Sequence, residues 1–349
     1  MIKIFLGDDF MATQQEVIKA FMASLDTTTL SGEAALDEAI KACSTFKSFK
    51  ELRAALIRDC KNAKSGDDFL KTYCGIDFDT EDIGAITGSD AGNTESKNAA
   101  DMILESSSLK NFKKNSFKVN GLTVKLGDNK NFSDLNAWQK FIWQGLYTWW
   151  VKGALDLIAE SYGDNFSFTD KSSATVKEVY ICFSDEIGAS AYTNASYSSG
   201  LTKELYITFR HIPNIENDVD WANREFDRLV AHEFTHAVMY ANVLGYPVCS
   251  SLPGFVIEGL ADLTRGLEND SIKYYADKPS EFEKGLDVSK IGSYEDFMYA
   301  GGFTFFRYLA RQAPRFTAVL ATIRLGTSRA ESRLTAARAM IPLITAATP

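Results

Sequence analysis

The chain has 349 residues, enough to bury a sizeable core, and its hydrophobic and charged contents of 45% and 24% are ordinary for a globular protein. A net charge of −9 at pH 7 argues against nucleic acid as a partner, because phosphate contacts need basic surface. No apolar run reaches the ~18 residues a membrane-spanning helix requires, so no membrane span is expected.

In chain order, MIKIFLGDDFMATQQ lacks the charged-then-apolar layout of a secretory signal. The expectation is a protein that stays inside the cell or leaves by a signal-independent route. QQEVIKAFMASL, SGEAALDEAIKACSTF and SFKELRAALIRDCKNA each space apolar residues three and four apart, with Ser31 and Ser48 at N-cap positions. They predict a small helical N-terminal domain over residues 1–80. GAITGSDAGNTESKN (84–98) predicts a loop or linker, within a connecting region over 81–115. SFKVNGLTVKL (116–126) alternates around Asn120-Gly121, a strong hairpin signal. From about Asp134 to Ser161 runs a helix that is apolar on nearly every side, and that pattern means burial.

VKEVYICF (176–183) and ELYITF (204–209) read as strands separated by a Ser/Tyr/Gly/Asn-rich loop. A helix over about 222–244, closed by Gly245, is followed by a loop with Pro247 and Pro253. Further helices are read in GFVIEGLADLTRG and YAGGFTFFRYLARQ (299–312). The fold class expected is therefore α+β and predominantly helical, with the main domain over 116–325. From Gly301 to the end there are seven arginines, no lysine and one acid, Glu331; the tail over 326–349 is assigned no chemistry. Cys43, Cys60, Cys74, Cys182 and Cys249 are odd in number, with no C-x-x-C pair, and read as buried or free thiols.

Two of only three histidines fall in HEFTH, as His232 and His236 around Glu233. At 100° per residue from Phe226, His232 lies near ~240° and His236 near ~280°, so the imidazoles share one helix face. Glu233 falls near ~340°, beside them. Phe226, Val230, Phe234, Ala237, Val238 and Ala241 form a separate apolar stripe. Two neutral imidazoles can bind zinc, but a catalytic zinc takes three protein ligands and keeps one position open. Met239 and Asn242 stand where a longer His-containing version of the motif needs glycine and histidine. His211 in FRHIPN is the third histidine, and the simpler reading makes it a loop residue. The remaining candidate is Glu258, 22 residues after His236, in EGLAD on the next helix. Asp262, one turn on, is placed to accept the other N–H of His232 and fix its tautomer.

HEFTH followed by EGLAD resembles the gluzincins, zinc peptidases with H-E-x-x-H and a downstream glutamate ligand. HEFTHA, EGLAD and YAGGF together are most similar to bacterial collagenase-type peptidases and flagellin-associated metallopeptidase domains, over residues 116–312. The resemblance implies a gluzincin-like catalytic domain holding one Zn2+ per chain on His232, His236 and Glu258. It implies peptide hydrolysis in which Glu233 takes a proton from water whose pKa zinc lowers to about 7. It also nominates Tyr299 as donor to the developing oxyanion, with Tyr240 as a second candidate. Finally, it implies an extended polypeptide substrate held along a sheet edge, with ELYITF in the place for it.

Two other functions fit the same motifs. One is a metal-binding structural or surface-binding module without turnover, in which the N-terminal helices are the working part. Intact Glu233 argues against it, since holding zinc needs no base there. The other is a zinc hydrolase acting on a non-peptide substrate.

Overall fold

In the computed structural model, the described residues are 14–27, 30–76, 112–163, 166–168, 174–186, 189–199, 201–212, 226–242, 246–265, 269–286 and 296–312. The linker expected at 84–98, the tail at 326–349 and Gly245 lie outside them. The fold is mixed α+β, mostly helical, with one five-stranded sheet.

The opening amphipathic segments form α1 (Gln14–Thr27), α2 (Gly32–Cys43) and α3 (Phe49–Asn62), followed by the short α4 (Gly66–Phe69). Ser48 caps α3 by accepting the Glu51 N–H at 3.2 Å. Ser31 stands at the start of α2 without a side-chain bond; Ser251, far along the chain, accepts the Gly32 N–H instead, at 2.8 Å. The hairpin forms as expected. Strands β1 (Ser116–Val119) and β2 (Leu122–Leu126) pair antiparallel around Asn120 and Gly121, whose φ angles of 49° and 90° are the left-handed values a tight hairpin turn demands. The long apolar stretch is α5 (Ala137–Gly145), a π-helical turn (Leu146–Trp150) and α6 (Val151–Tyr162) in succession. Asn136 and Gln139 close a capping box at its start.

Strands β3 (Glu178–Ser184), β4 (Ala191–Ser198) and β5 (Leu201–Arg210) complete the sheet in the order β1-β2-β3-β5-β4. β3 is parallel to β2 and β5, while β4 returns antiparallel on β5. The loop expected between the strands at 176–183 and 204–209 is thus largely a strand. Its Ser, Tyr and Asn residues hid an alternation that places the small, buried Ala191 and Ala195 on one face. As a consequence, ELYITF lies in the interior of the sheet, and β4 is the edge on that side.

The second half of the chain is helical: α7 (Asp227–Asn242), α8 (Tyr246–Ser251), α9 (Gly254–Arg265), α10 (Asn269–Ala276), α11 (Pro279–Gly285) and α12 (Asp296–Arg311). The expected loop around Pro247 contains α8, with proline in the first turn, where its missing N–H removes no helical bond. α7 packs on α6 and α9 and on strands β4 and β5; α9 packs along α12. The α9–α12 crossing is set by glycines. A Cβ on Gly302 would lie 2.0 Å from the Phe255 carbonyl oxygen, and one on Gly259 would lie 2.4 Å from the Gly302 carbonyl carbon. The N-terminal helices share this core: Phe21 meets Phe306 edge-on at 5.1 Å, and Phe49 stacks on Phe255 at 5.3 Å. All five cysteines are free and buried. No helix among the described residues is long and apolar enough to cross a membrane.

Candidate metal centre

Both faces of α7 are covered. The apolar stripe meets the core, and the face carrying the histidines is buried as well, with His232 at 5%, Glu233 at 3% and His236 at 7% exposure. What covers that face is α9. Its Glu258 Oε2 lies 3.2 Å from His232 Nε2 and 3.3 Å from His236 Nε2, while the two Nε2 atoms are 3.0 Å apart. These three residues form a group that could hold a metal ion.

The tautomers sharpen this. His232 Nδ1 lies 2.9 Å from Asp262 Oδ1, and a carboxylate oxygen can only accept there, so Nδ1 donates to Asp262 and Nε2 is turned toward Glu258 and His236. A bare Nε2 and a carboxylate oxygen at 3.2 Å would repel, so a positive charge is shared between them, a proton where no ion is bound. Burial and the Arg265 charge lower the His232 pKa, but the hydrogen bonds to Asp262 and Glu258 outweigh them and raise it to about 9. Burial alone would raise Glu258; the neighbouring His236 and His232 hold its carboxyl well below the usual carboxylate range instead. The imidazole and the carboxylate thus share a proton, which a bound metal ion would have to displace.

The donor set fits zinc. Four ligands at ~2.05 Å in a tetrahedron stand roughly 3.3 Å apart, and the observed edges of 3.0, 3.2 and 3.3 Å are close to that. His232, His236 and Glu258 would supply three ligands to such an ion.

The surrounding residues hold this triangle in place. Asp262 is fully buried, and its Oδ1 also accepts Arg265 Nε at 2.7 Å, so one carboxylate oxygen serves both the imidazole and a guanidinium one turn along α9. Arg265 was missed in the sequence, although Asp-x-x-Arg on one helix face is a readable pair. Glu233 turns its carboxylate toward the sheet edge, where Oε2 accepts the Thr193 hydroxyl at 2.7 Å. Thr193 was hidden in the supposed loop. Tyr299, half-buried on α12, brings its ring to 6.1 Å from that of His232. Burial lowers the Arg265 pKa, but the Asp262 carboxylate beside it, with Glu233 and Tyr299 adding to it, raises it overall.

The third histidine lies elsewhere. His211 is stacked on Trp138 at 4.9 Å, with Nδ1 3.6 Å from Asp185, and takes no part in the ligand group. Tyr240 packs against the core, and its carbonyl accepts the Thr202 hydroxyl at 2.7 Å. No family model, no curated protein and no solved structure matches this chain.

Proposed function

We propose that this protein is a zinc-dependent metalloendopeptidase with a gluzincin-like catalytic domain, holding one Zn2+ on His232, His236 and Glu258. The observation that supports the reading is the convergence of three ligand atoms from two helices, the two imidazoles buried and Glu258 partly so, with a fourth residue, Glu233, adjacent in sequence and aimed differently. A module built only to hold a metal has no use for that buried carboxylate, which costs desolvation energy to keep.

When bound, zinc supplies Lewis acidity to the water and the carbonyl oxygen beside it. Glu233 accepts the proton of that water and delivers it to the leaving amine nitrogen, acting first as base and then as acid. Asp262 would keep His232 in the tautomer whose lone pair faces inward, and Arg265 keeps the Asp262 carboxylate aimed. Tyr299 offers its hydroxyl to the carbonyl oxygen as negative charge develops there. An extended polypeptide would pair along β4, the edge strand beside Glu233, instead of along ELYITF. Main-chain pairing of this kind gives affinity with little sequence selectivity.

The test combines metal content with turnover. Purified protein should carry one zinc per chain, and His236→Ala none. Glu233→Gln should keep zinc and lose cleavage of unfolded casein by roughly 10³-fold. A wild-type protein that binds zinc yet leaves casein and other unfolded polypeptides intact would leave the non-catalytic module, or a non-peptide hydrolase, in its place.

A further inference from the structure

Glu233 has three rotatable side-chain bonds, and a general base must hold its carboxylate within a few tenths of an ångström of the proton it takes. Something has to fix it. The Thr193 hydroxyl lies 2.7 Å from Glu233 Oε2 and 2.9 Å from the Glu233 main-chain oxygen, so its single proton is directed at one residue only. A hydroxyl given to an ionised carboxylate makes one of the stronger neutral-to-charged hydrogen bonds.

Thr193 also occupies a particular register on the edge strand. The Arg210 N–H donates to the Ser190 oxygen at 2.9 Å, which makes 190 and 210 a hydrogen-bonded pair. In an antiparallel ladder such pairs alternate with pairs that share no main-chain bond. The register puts Tyr192 opposite Thr208, Thr193 opposite Ile207 and Asn194 opposite Tyr206. Tyr192 and Asn194 therefore bond back to β5, whereas the N–H and C=O of Thr193 turn outward to the open edge. Among the described residues no strand lies beyond β4. One residue thus directs its side chain to the base and its main chain to the place where a substrate strand would pair.

Resting on the peptidase reading above, we propose that Thr193 is a positioning residue: its hydroxyl fixes the Glu233 carboxylate and ties it to the segment of β4 that receives the substrate backbone. Main-chain pairing and proton transfer are then held in one fixed relation by a single side chain.

Thr193→Val keeps the shape and removes the hydroxyl; Thr193→Ser keeps the hydroxyl. In the zinc-loaded full chain, with zinc content and melting curve matched to wild type, Thr193→Val should lower kcat on a casein-derived peptide by about 30-fold and move KM less than about twofold. Thr193→Ser should recover to within about threefold of wild type. A second readout needs no turnover. Acetohydroxamic acid gives up a proton when it binds a metal, so its affinity for the cobalt-substituted protein, followed by visible absorption, reports a base held beside the site. Thr193→Val should weaken it about tenfold and Thr193→Ser should not, with Glu233→Gln as the control that loses the base. The proposal is overturned if Thr193→Val matches wild type in both measurements, or if only KM rises, which would make Thr193 a strand contact alone. It is equally overturned if Glu233→Gln leaves hydroxamate affinity unchanged. A wild type that binds cobalt and zinc but cleaves nothing defeats the peptidase reading, while the hydroxamate series still decides whether Thr193 holds Glu233.

Discussion

The N-terminal helices and the α7–α9 pair are built from the same amphipathic pattern, yet they put opposite kinds of residue in their interiors. Where α1 and α3 meet α9 and α12, the contacts are ring on ring, as in Phe21–Phe306 and Phe49–Phe255. Polar groups sit at the margin of that layer. Arg53 donates to the Leu286 and Glu283 carbonyls at the end of α11, and Tyr308 donates to Asp59. Between α7 and α9 the order is reversed: His232, His236, Glu233 and Asp262 occupy the centre, and apolar residues surround them. Burying apolar area stabilises a fold, whereas burying charge costs several kcal/mol per group unless each partner is met. The first layer is explained by stability alone; the second is the arrangement that the proposed zinc site would need.

The largest expected effect lies in the aromatic layer. Phe49→Ala should cost about 3–5 kcal/mol of unfolding free energy in a denaturant titration, because its neighbours cannot close the cavity. Folded protein should still take up zinc at one per chain. A fall in zinc content among folded molecules would show that the two regions are less separable than their packing indicates. Gly302→Ala strikes the joint between them. With the Phe255 oxygen 2.0 Å from the new methyl group, α9 and α12 must move apart, at a cost of roughly 1–3 kcal/mol. Because α9 carries Glu258 and α12 carries Tyr299, this variant should lose activity beyond its loss of stability, measured as turnover per zinc-loaded chain.

How much of this was legible beforehand follows the same division. Helical periodicity made the N-terminal helices and α7 readable, and the spacing of His232 and His236 made their shared face a geometric necessity. Glu258 and Asp262 were readable as a carboxylate pair one turn apart on a later helix, although the short α8 that intervenes was read as a loop. The edge strand was not readable, because the polar composition of 191–198 resembles a loop and only pairing with β5 gives it a partner. That error concealed Thr193 and misplaced the sheet edge at ELYITF. The crossing of Gly259 over Gly302 was equally hidden, since a glycine's meaning depends on the helix it faces. Local pattern is written in the chain; contact between distant segments is not.

A finer cut falls within the polar centre itself. Asp262→Asn keeps the size of the side chain, and its amide oxygen can still accept from His232, but the charge that pairs with Arg265 is gone. Zinc affinity, measured by competition with a chelator, should fall roughly 10- to 100-fold while the protein stays folded. Unchanged affinity would mean that Asp262 serves Arg265 and the packing of α9, with no effect on the imidazole.

The smallest expected effect is at Tyr299, and it separates residues that build the centre from one that only borders it. Its ring stands 6.1 Å from His232, on a helix that contributes no ligand, and it is half-buried where the two imidazoles are nearly closed off. Tyr299→Phe removes one oxygen and leaves the packing intact, so zinc content and melting temperature should match wild type. If the hydroxyl donates to the carbonyl oxygen only as charge develops there, kcat should drop about 10-fold, near 1.4 kcal/mol, with KM nearly unchanged. A rise in KM with kcat preserved would instead assign the hydroxyl to holding the substrate's ground state. Unchanged kinetics would leave Tyr299 as a wall of the site and return the stabilisation of that oxygen to the metal centre alone.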